Sequence, residues 1–159
     1  MDIISYLQAK KTLVDAALDR YLPSEQAFPP IIFQAMRYSV FAGGKRIRPI
    51  LALAAAEAVC GEDEPVLPVA CALEMLHTYS LIHDDLPAMD NDDYRRGKLT
   101  NHKMFGEAVA ILAGDALLTH TFELLTHPDL TRHFPPATLL SVINEIAQAA
   151  GCFGMIGGQ

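Results

Sequence analysis

Apolar residues recur along this chain at helical spacing and divide it into a succession of helices. Ile3, Leu7, Val14, Leu18 and Tyr21 fall on one helical stripe with charges between them, which predicts an amphipathic first helix. Pro23 ends it. Pro29-Pro30 open a second helix, Ile31 to about Phe41, because the N–H that proline lacks has no use in a first turn. Gly43-Gly44 stop that helix, and Pro49 opens a third from Ile50 to Val59. Gly61-Glu62-Asp63-Glu64-Pro65 reads as a polar turn. From Val66 to His83 the pattern is helical and apolar nearly all round, as expected of a buried central helix. Pro87 ends or kinks it. Lys98 to Lys103 reads as a polar connector. The next helix, Glu107 to Leu125, has small faces at Ala108, Ala110, Ala113, Gly114 and Ala116 that allow close packing. His127 to Pro136 reads as a loop, and a last helix runs from Ala137 to about Phe153. No strand pattern or internal repeat competes. The expected fold is all-α, one domain over residues 1–159.

The polar positions concentrate where the central helix ends. Asp84, Asp85, Asp90, Asp92 and Asp93 fall within ten positions, followed by Arg95, Arg96 and Gly97. Carboxylates at the end of an apolar helix need a partner or a metal. Their hard oxygens suit Mg²⁺, and adjacent arginines suit phosphate oxygens. Together they point to a metal-bridged phosphate or diphosphate site. At about 100° per residue, Glu74, His77, Leu81, Asp84 and Asp85 share one helix face. A lone histidine on an apolar helix is more often a core residue, but the alignment with Asp84 favours function for His77. Asp90 leaves that face on a straight helix, and Pro87 lets the chain fold it back. Asp92 and Asp93 are expected to be solvated loop residues. Asp115, inside an apolar helix, is expected to make a structural hydrogen bond.

A second cluster, Gly43-Gly44-Lys45-Arg46-Ile47-Arg48-Pro49, combines glycines that admit a ligand to the backbone with three cations and a helix N-terminus. Taken alone it is as readily a solvated basic turn. The charge balance narrows the partners. A net charge of −7 with no compensating basic face argues against nucleic acid, so the clustered cations fit a small anion. Cys60, Cys71 and Cys152 lack metal or redox spacing and read as reduced core residues of a cytoplasmic protein. The start Met1-Asp2-Ile3-Ile4 has neither a basic nor an apolar run, so no signal peptide is expected. No stretch of roughly 20 apolar residues is free of charges or breakers, so no membrane span is expected.

The motifs, in order, resemble the short-chain polyprenyl diphosphate synthases, especially the bacterial farnesyl diphosphate synthases. The resemblance rests on Phe41 to Pro49, Glu74 to Ser80, Asp84-Asp85-x-x-x-x-Asp90, Arg95-Arg96-Gly97-x-x-Thr100, Gly106-Glu107-Ala108, Ala113-Gly114-Asp115 and Gly157-Gly158-Gln159. It implies an antiparallel helix bundle of the isoprenoid synthase type around a deep cavity, usually a homodimer. The implied reaction joins isopentenyl diphosphate head-to-tail to an allylic diphosphate, dimethylallyl or geranyl, to give farnesyl diphosphate. It proceeds by ionisation, condensation and proton elimination. Asp84, Asp85 and Asp90 would hold Mg²⁺, with Mn²⁺ an alternative, and Asp84 and Asp90 would be its direct ligands. Arg95 would grip the allylic diphosphate. Gly44, Lys45, Arg48, His77 and Arg96 would bind isopentenyl diphosphate. Tyr79 and Ser80 would set product length, Tyr79 as a floor more than a turn below Asp84.

Members of that family continue further, with a second aspartate-rich motif, so the chain is expected to be a truncated form, inactive by itself. Its last eleven residues are small or apolar except Gln159, as expected of a segment that packs against something more. Two rival readings differ in class. One is a non-catalytic helical half or partner subunit. The other is a metal phosphohydrolase with His83-Asp84 as a His-Asp pair.

Overall fold

A computed structural model describes residues 2–159. The order is α1 (Ile3–Tyr21), α2 (Pro30–Val40), α3 (Ile47–Cys60), a 3-10 turn (Glu64–Val66), α4 (Leu67–Asp84), β1 (Tyr94–Arg95), β2 (Lys98–Leu99), α5 (Asn101–Phe105), α6 (Glu107–Leu125), α7 (Pro128–Thr131), α8 (Pro136–Ala150) and α9 (Met155–Gly158). The fold is an all-α bundle, as the sequence predicts. Asp2 starts α1, its carboxylate accepting from the backbone N–H groups of Ile4 and Ser5.

The core sits around α4. Its near-continuous apolar surface lets α1, α2, α3 and α6 all pack against it. Cys71 and Met75 of α4, Leu18 of α1, Leu53 of α3 and Leu117 of α6 are fully buried. Burying one leucine-sized side chain contributes about 1.5–3 kcal/mol. Burial also pushes the Cys71 thiol up to about 12, so it is inert. At Gly114 the missing Cβ leaves a hollow that the His83 imidazole of α4 fills. A Cβ there would stand 2.2 Å from His83 Nε2.

Several local expectations are corrected. The connector after Asp93 contains a two-residue antiparallel hairpin, Tyr94 opposite Leu99 and Arg95 opposite Lys98, followed by α5. Strands this short carry no alternation to read. α3 starts at Ile47, because Arg46 in the left-handed region already turns the chain into the helix. The loop after His127 contains α7, and the last long helix stops at Ala150 before a separate turn of helix at Met155. Cys60 and Cys152 are exposed rather than core residues. Asp115 is exposed too, 3.8 Å from His83 Nε2, an ion-pair distance rather than a hydrogen bond.

Three helical stretches, 64–84, 107–131 and 136–158, are long and apolar enough to cross a bilayer by length and composition. Each carries charges or breakers, among them Glu74, Asp115 and Glu145. In the first, 61% of the apolar window is buried against protein, so its hydropathy serves the core.

Gly114→Ala should destabilise the protein by about 1–3 kcal/mol, the usual cost of overpacking, because His83 must leave its hollow. Denaturant melts would check this. Adding His83→Ala should recover most of the loss.

Candidate active site

The acidic half is built by the end of α4. Leu86 N–H donates to His83 O, Met89 N–H to Leu86 O, and Asp90 N–H then returns to Asp84 O at 2.8 Å. Asn91 follows with a positive φ of 55°. The chain thus doubles back after Pro87 and carries Asp90 to Asp84. Burial, and next the charge of Asp90, raise the Asp84 carboxyl above the usual carboxylate range, with Arg95 opposing. Two carboxylates that repel one another are a natural seat for a cation. Among the described residues no three histidine, cysteine or acidic side chains form a metal cage. Two carboxylates with open sides nevertheless fit Mg²⁺, which keeps waters and takes its remaining ligands from substrate phosphates.

Asp85 points elsewhere. It is 3% exposed, and Arg95 grips it with Nε 2.9 Å from both oxygens and Nη2 2.6 Å from Oδ1. This two-pronged pair joins the hairpin to α4. Asp85 is therefore the counter-ion of Arg95, and Asp84 with Asp90 forms the open pair.

The basic half is the loop between α2 and α3. Arg96 reaches from the hairpin, donates to Gly43 O and lies against Gly44, where a Cβ would stand 2.5 Å from its Nη1. Beneath the loop Arg46 is buried and fully engaged. Its Nε donates to Asp15 at 2.8 Å, Nη1 to Glu74 at 2.9 Å and Nη2 to Val40 O at 2.7 Å. Lys45 and Arg48, either side of it, are exposed and make no ion pair within the described residues. His77 lies one turn beyond Glu74 on α4. Burial, then the charge of Arg48, hold its imidazole below the usual range, so it is neutral at pH 7.

Two largely apolar cavities open beside α4. One, of about 610 Å³, is lined by Arg48, Leu76, His77, Ile146 and Met155. The other, of about 660 Å³, is lined by Tyr79, Ser80, His83, Asp84, Asp115 and Met155. Tyr79 is buried, its hydroxyl without a partner among the described residues and its ring edge-on to His83 at 5.8 Å between centroids. A larger cavity of about 860 Å³ lies between the end of α1, the Gly61–Pro65 turn and α7. Several of its polar groups pair with one another, Asp129 with Tyr21 and Arg132 for example, and it holds none of the clustered carboxylates and cations singled out from the sequence, so we place the chemistry at α4.

The residues singled out from sequence thus gather around one helix. Asp84, Tyr79 and Ser80 share one cavity, and Arg48 and His77 the other. Gly44 and Arg96 touch, and Lys45 stands on the exposed loop beside them. Asp92 is exposed, and Asp93, also exposed, is tied to Lys103 at 2.8 Å. Sequence reasoning missed the tether on Arg46. The available signal was Glu74, a carboxylate inside an apolar helix that required a cation.

Asp84→Asn tests the carboxylate coupling. Because the folded-state carboxyl is raised above its ordinary 3.8, its ionised form destabilises the fold. That penalty is absent below the ordinary value and grows as pH rises through the folded one. Without divalent metal, the variant should melt above the parent at pH 7 and level with it near pH 3.5. The gain should be modest, roughly 0.5 kcal/mol or less. Thermal melts across that range would check it.

The family model described as "Polyprenyl synthetase" matches residues 29–153. A "Farnesyl diphosphate synthase" of Geobacillus stearothermophilus is 55% identical over 160 residues, covering 100% of this chain and 53% of that protein. A "Heterodimeric geranylgeranyl pyrophosphate synthase large subunit 1, chloroplastic" of Arabidopsis thaliana is 52% identical, over 99% of this chain and 42% of that protein. The apo crystal structure of an FPP/GFPP synthase from Zymomonas mobilis superposes with a TM-score of 0.90 at 41% identity, over 97% of this chain and 55% of that one. The chain spans about half the length of the curated relatives it matches.

Proposed function

The chain belongs to the polyprenyl synthetase family, and on that premise we propose that it forms the diphosphate-binding part of a prenyltransferase, residues 1–159 acting as one domain. The reaction joins isopentenyl diphosphate to an allylic diphosphate. The observation that carries this reading is the sorting of charge around α4. Asp84, with exposed Asp90 folded back to it, lines one apolar cavity, while Arg48 lines the other beside His77 and Lys45 is exposed on the loop that leads to Arg48.

Asp84 and Asp90 would hold Mg²⁺, or Mn²⁺, which when bound neutralises charge on the departing diphosphate. Arg95, fixed by Asp85, steadies the same diphosphate. Lys45, Arg48, His77 and Arg96, with the bare backbone at Gly44, receive isopentenyl diphosphate. Apolar walls keep water from the allylic cation. The isopentenyl double bond attacks that cation, and the proton lost from the adduct passes to the diphosphate. No protein nucleophile is needed; positioning and electrostatics supply the rate.

The product we propose is farnesyl diphosphate. Tyr79, buried in the wall of the Asp84 cavity, supports a floor at fifteen carbons, although similar relatives are named for both farnesyl and geranylgeranyl products. Assembly as a homodimer and a cytoplasmic location complete the reading. A role as a subunit paired with a different chain is a second reading, favoured by the heterodimeric relative. The phosphohydrolase reading has no such support. His83 is seated in the Gly114 hollow with Nε2 3.1 Å from Ile111 O, a packing role rather than half of a His-Asp pair.

Two experiments in the full-length protein test this. Lys45→Ala and Arg48→Ala should raise the KM for isopentenyl diphosphate by about tenfold to hundredfold, the worth of a charge-assisted hydrogen bond of roughly 1.5–3 kcal/mol. Asp84→Ala and Asp90→Ala should instead abolish Mg²⁺-dependent turnover. Steady-state kinetics with each substrate varied would decide, and equal effects on both substrates would contradict the division.

Tyr79→Ala should deepen the cavity and shift products from farnesyl towards geranylgeranyl diphosphate. Loss of a buried aromatic costs about 3–5 kcal/mol, so folding is checked by circular dichroism in parallel. Chromatography of dephosphorylated products reads the outcome. A folded, active variant that still stops at fifteen carbons would place the floor elsewhere.

A further inference from the structure

Arg46 stands between the two cations assigned to isopentenyl diphosphate, yet it cannot meet a ligand. It is 4% exposed, and all three of its guanidinium nitrogens are engaged within the protein. Its partners come from three other helices or their ends: Asp15 of α1, Val40 at the end of α2 and Glu74 of α4. Its backbone is left-handed, with φ 53° and ψ 34°, a conformation that non-glycine residues seldom adopt. That turn sends the chain from the exposed loop at Lys45 into the first turn of α3, where Arg48 lies. Glu74 lies one helical turn before His77. One side chain therefore references the loop that carries Lys45, and the turn that carries Arg48, to the helix that carries His77.

Stability alone is a poor reason for this arrangement. A buried ion pair is commonly no better than well-packed apolar residues of the same size. Its charge balance matters more. Lys11, Asp15, Arg46 and Glu74 form a chain of ion pairs with no net charge. Both carboxylates near the loop are thereby occupied, and Lys45 and Arg48 are left free for an anion.

We propose that Arg46 is a positioning residue for the isopentenyl diphosphate site: it fixes the loop from beneath and occupies the carboxylates that would otherwise compete for Lys45 and Arg48. This rests on the reading that Lys45, Arg48 and His77 receive that diphosphate.

The test is made in the full-length protein. The double variant Arg46→Met with Glu74→Leu replaces the buried pair by apolar side chains of similar size. It should melt within about 5 °C of the parent. Its KM for isopentenyl diphosphate should rise about tenfold or more, with the KM for the allylic substrate within about threefold. A folded double variant with an unchanged isopentenyl KM overturns the proposal, as does an equal rise in both constants. If the double variant does not fold, Asp15→Ala serves in its place. Asp15 is partly exposed, and its loss frees one donor of Arg46. It should raise the isopentenyl KM about threefold, and no rise overturns the proposal. Lys45→Ala and Arg48→Ala are measured alongside. If they raise the isopentenyl KM and the Arg46 variant does not, only the positioning role fails. If they too leave it unchanged, the site reading fails and takes this proposal with it.

Discussion

A helix buried on nearly every side cannot carry a lone charge, and α4 carries one buried carboxylate within it and a second at its C-terminal cap. Glu74 and Asp85 are each 3% exposed, and each has its own arginine, Arg46 and Arg95. Removing one member of such a pair strands the other and costs about 3–5 kcal/mol. The two pairs therefore pin two separate segments onto α4, the glycine-lysine loop by one and the hairpin by the other. Non-glycine residues with positive φ occur at Arg46, Asn91 and Arg96, all within or beside these pinned segments. Backbone strain of this kind persists where surrounding contacts over-determine it.

Pairing also decides which charges remain for chemistry. Arg46, sealed against two carboxylates, is structural whatever its neighbours in sequence, whereas Arg95 is held by Asp85 yet stays partly exposed. Arg46 and Arg48 are two residues apart in one basic cluster, yet the first is sealed in and the second is free. Asp84 and Asp85 are adjacent, yet the second belongs to Arg95 and the first faces Asp90. Sequence neighbours take opposite roles because a helix turns about 100° per residue, so one position decides whether a side chain faces the protein or the cavity.

This explains what could be read from the sequence. Long helices with sustained periodicity were legible, since burial of a whole face leaves its mark over many residues. So was the return of Asp90, which Pro87 permits and the Asp90 N–H to Asp84 O bond completes. The hairpin at Tyr94–Leu99 was not legible, because four paired residues show no period. The exposure of Asp115 was not legible either. Its neighbours on α6 are apolar, but a surface aspartate beside a cavity differs from a buried one only by its rotation about the helix. Pairing between distant residues, Arg46 with Asp15 and Glu74, leaves no local pattern at all. Only the rule that a buried carboxylate needs a cation hints at it.

The same sorting gives the two cavities different ways to hold the same chemical group. Met155 contributes to both linings, so the cavities are neighbours across one helix. On the proposed function, a diphosphate at the Arg48–His77 mouth would meet an exposed cation directly, and a neutral His77 would add a hydrogen-bonding group without further charge. Beside Asp84 and Asp90 a bare diphosphate would meet repulsion, which a divalent cation would reverse. Two diphosphates that differ chiefly in their apolar tails can thus be told apart by their relation to a metal. On the proposed function, the one whose C–O bond is to break would belong on the side of Asp84 and Asp90, where a bound metal would neutralise the departing charge. The one that must keep its diphosphate would belong against arginine and lysine, which hold an anion without polarising its ester bond as strongly. On that reading, a single change of sign across α4 would separate the group that leaves from the group that stays.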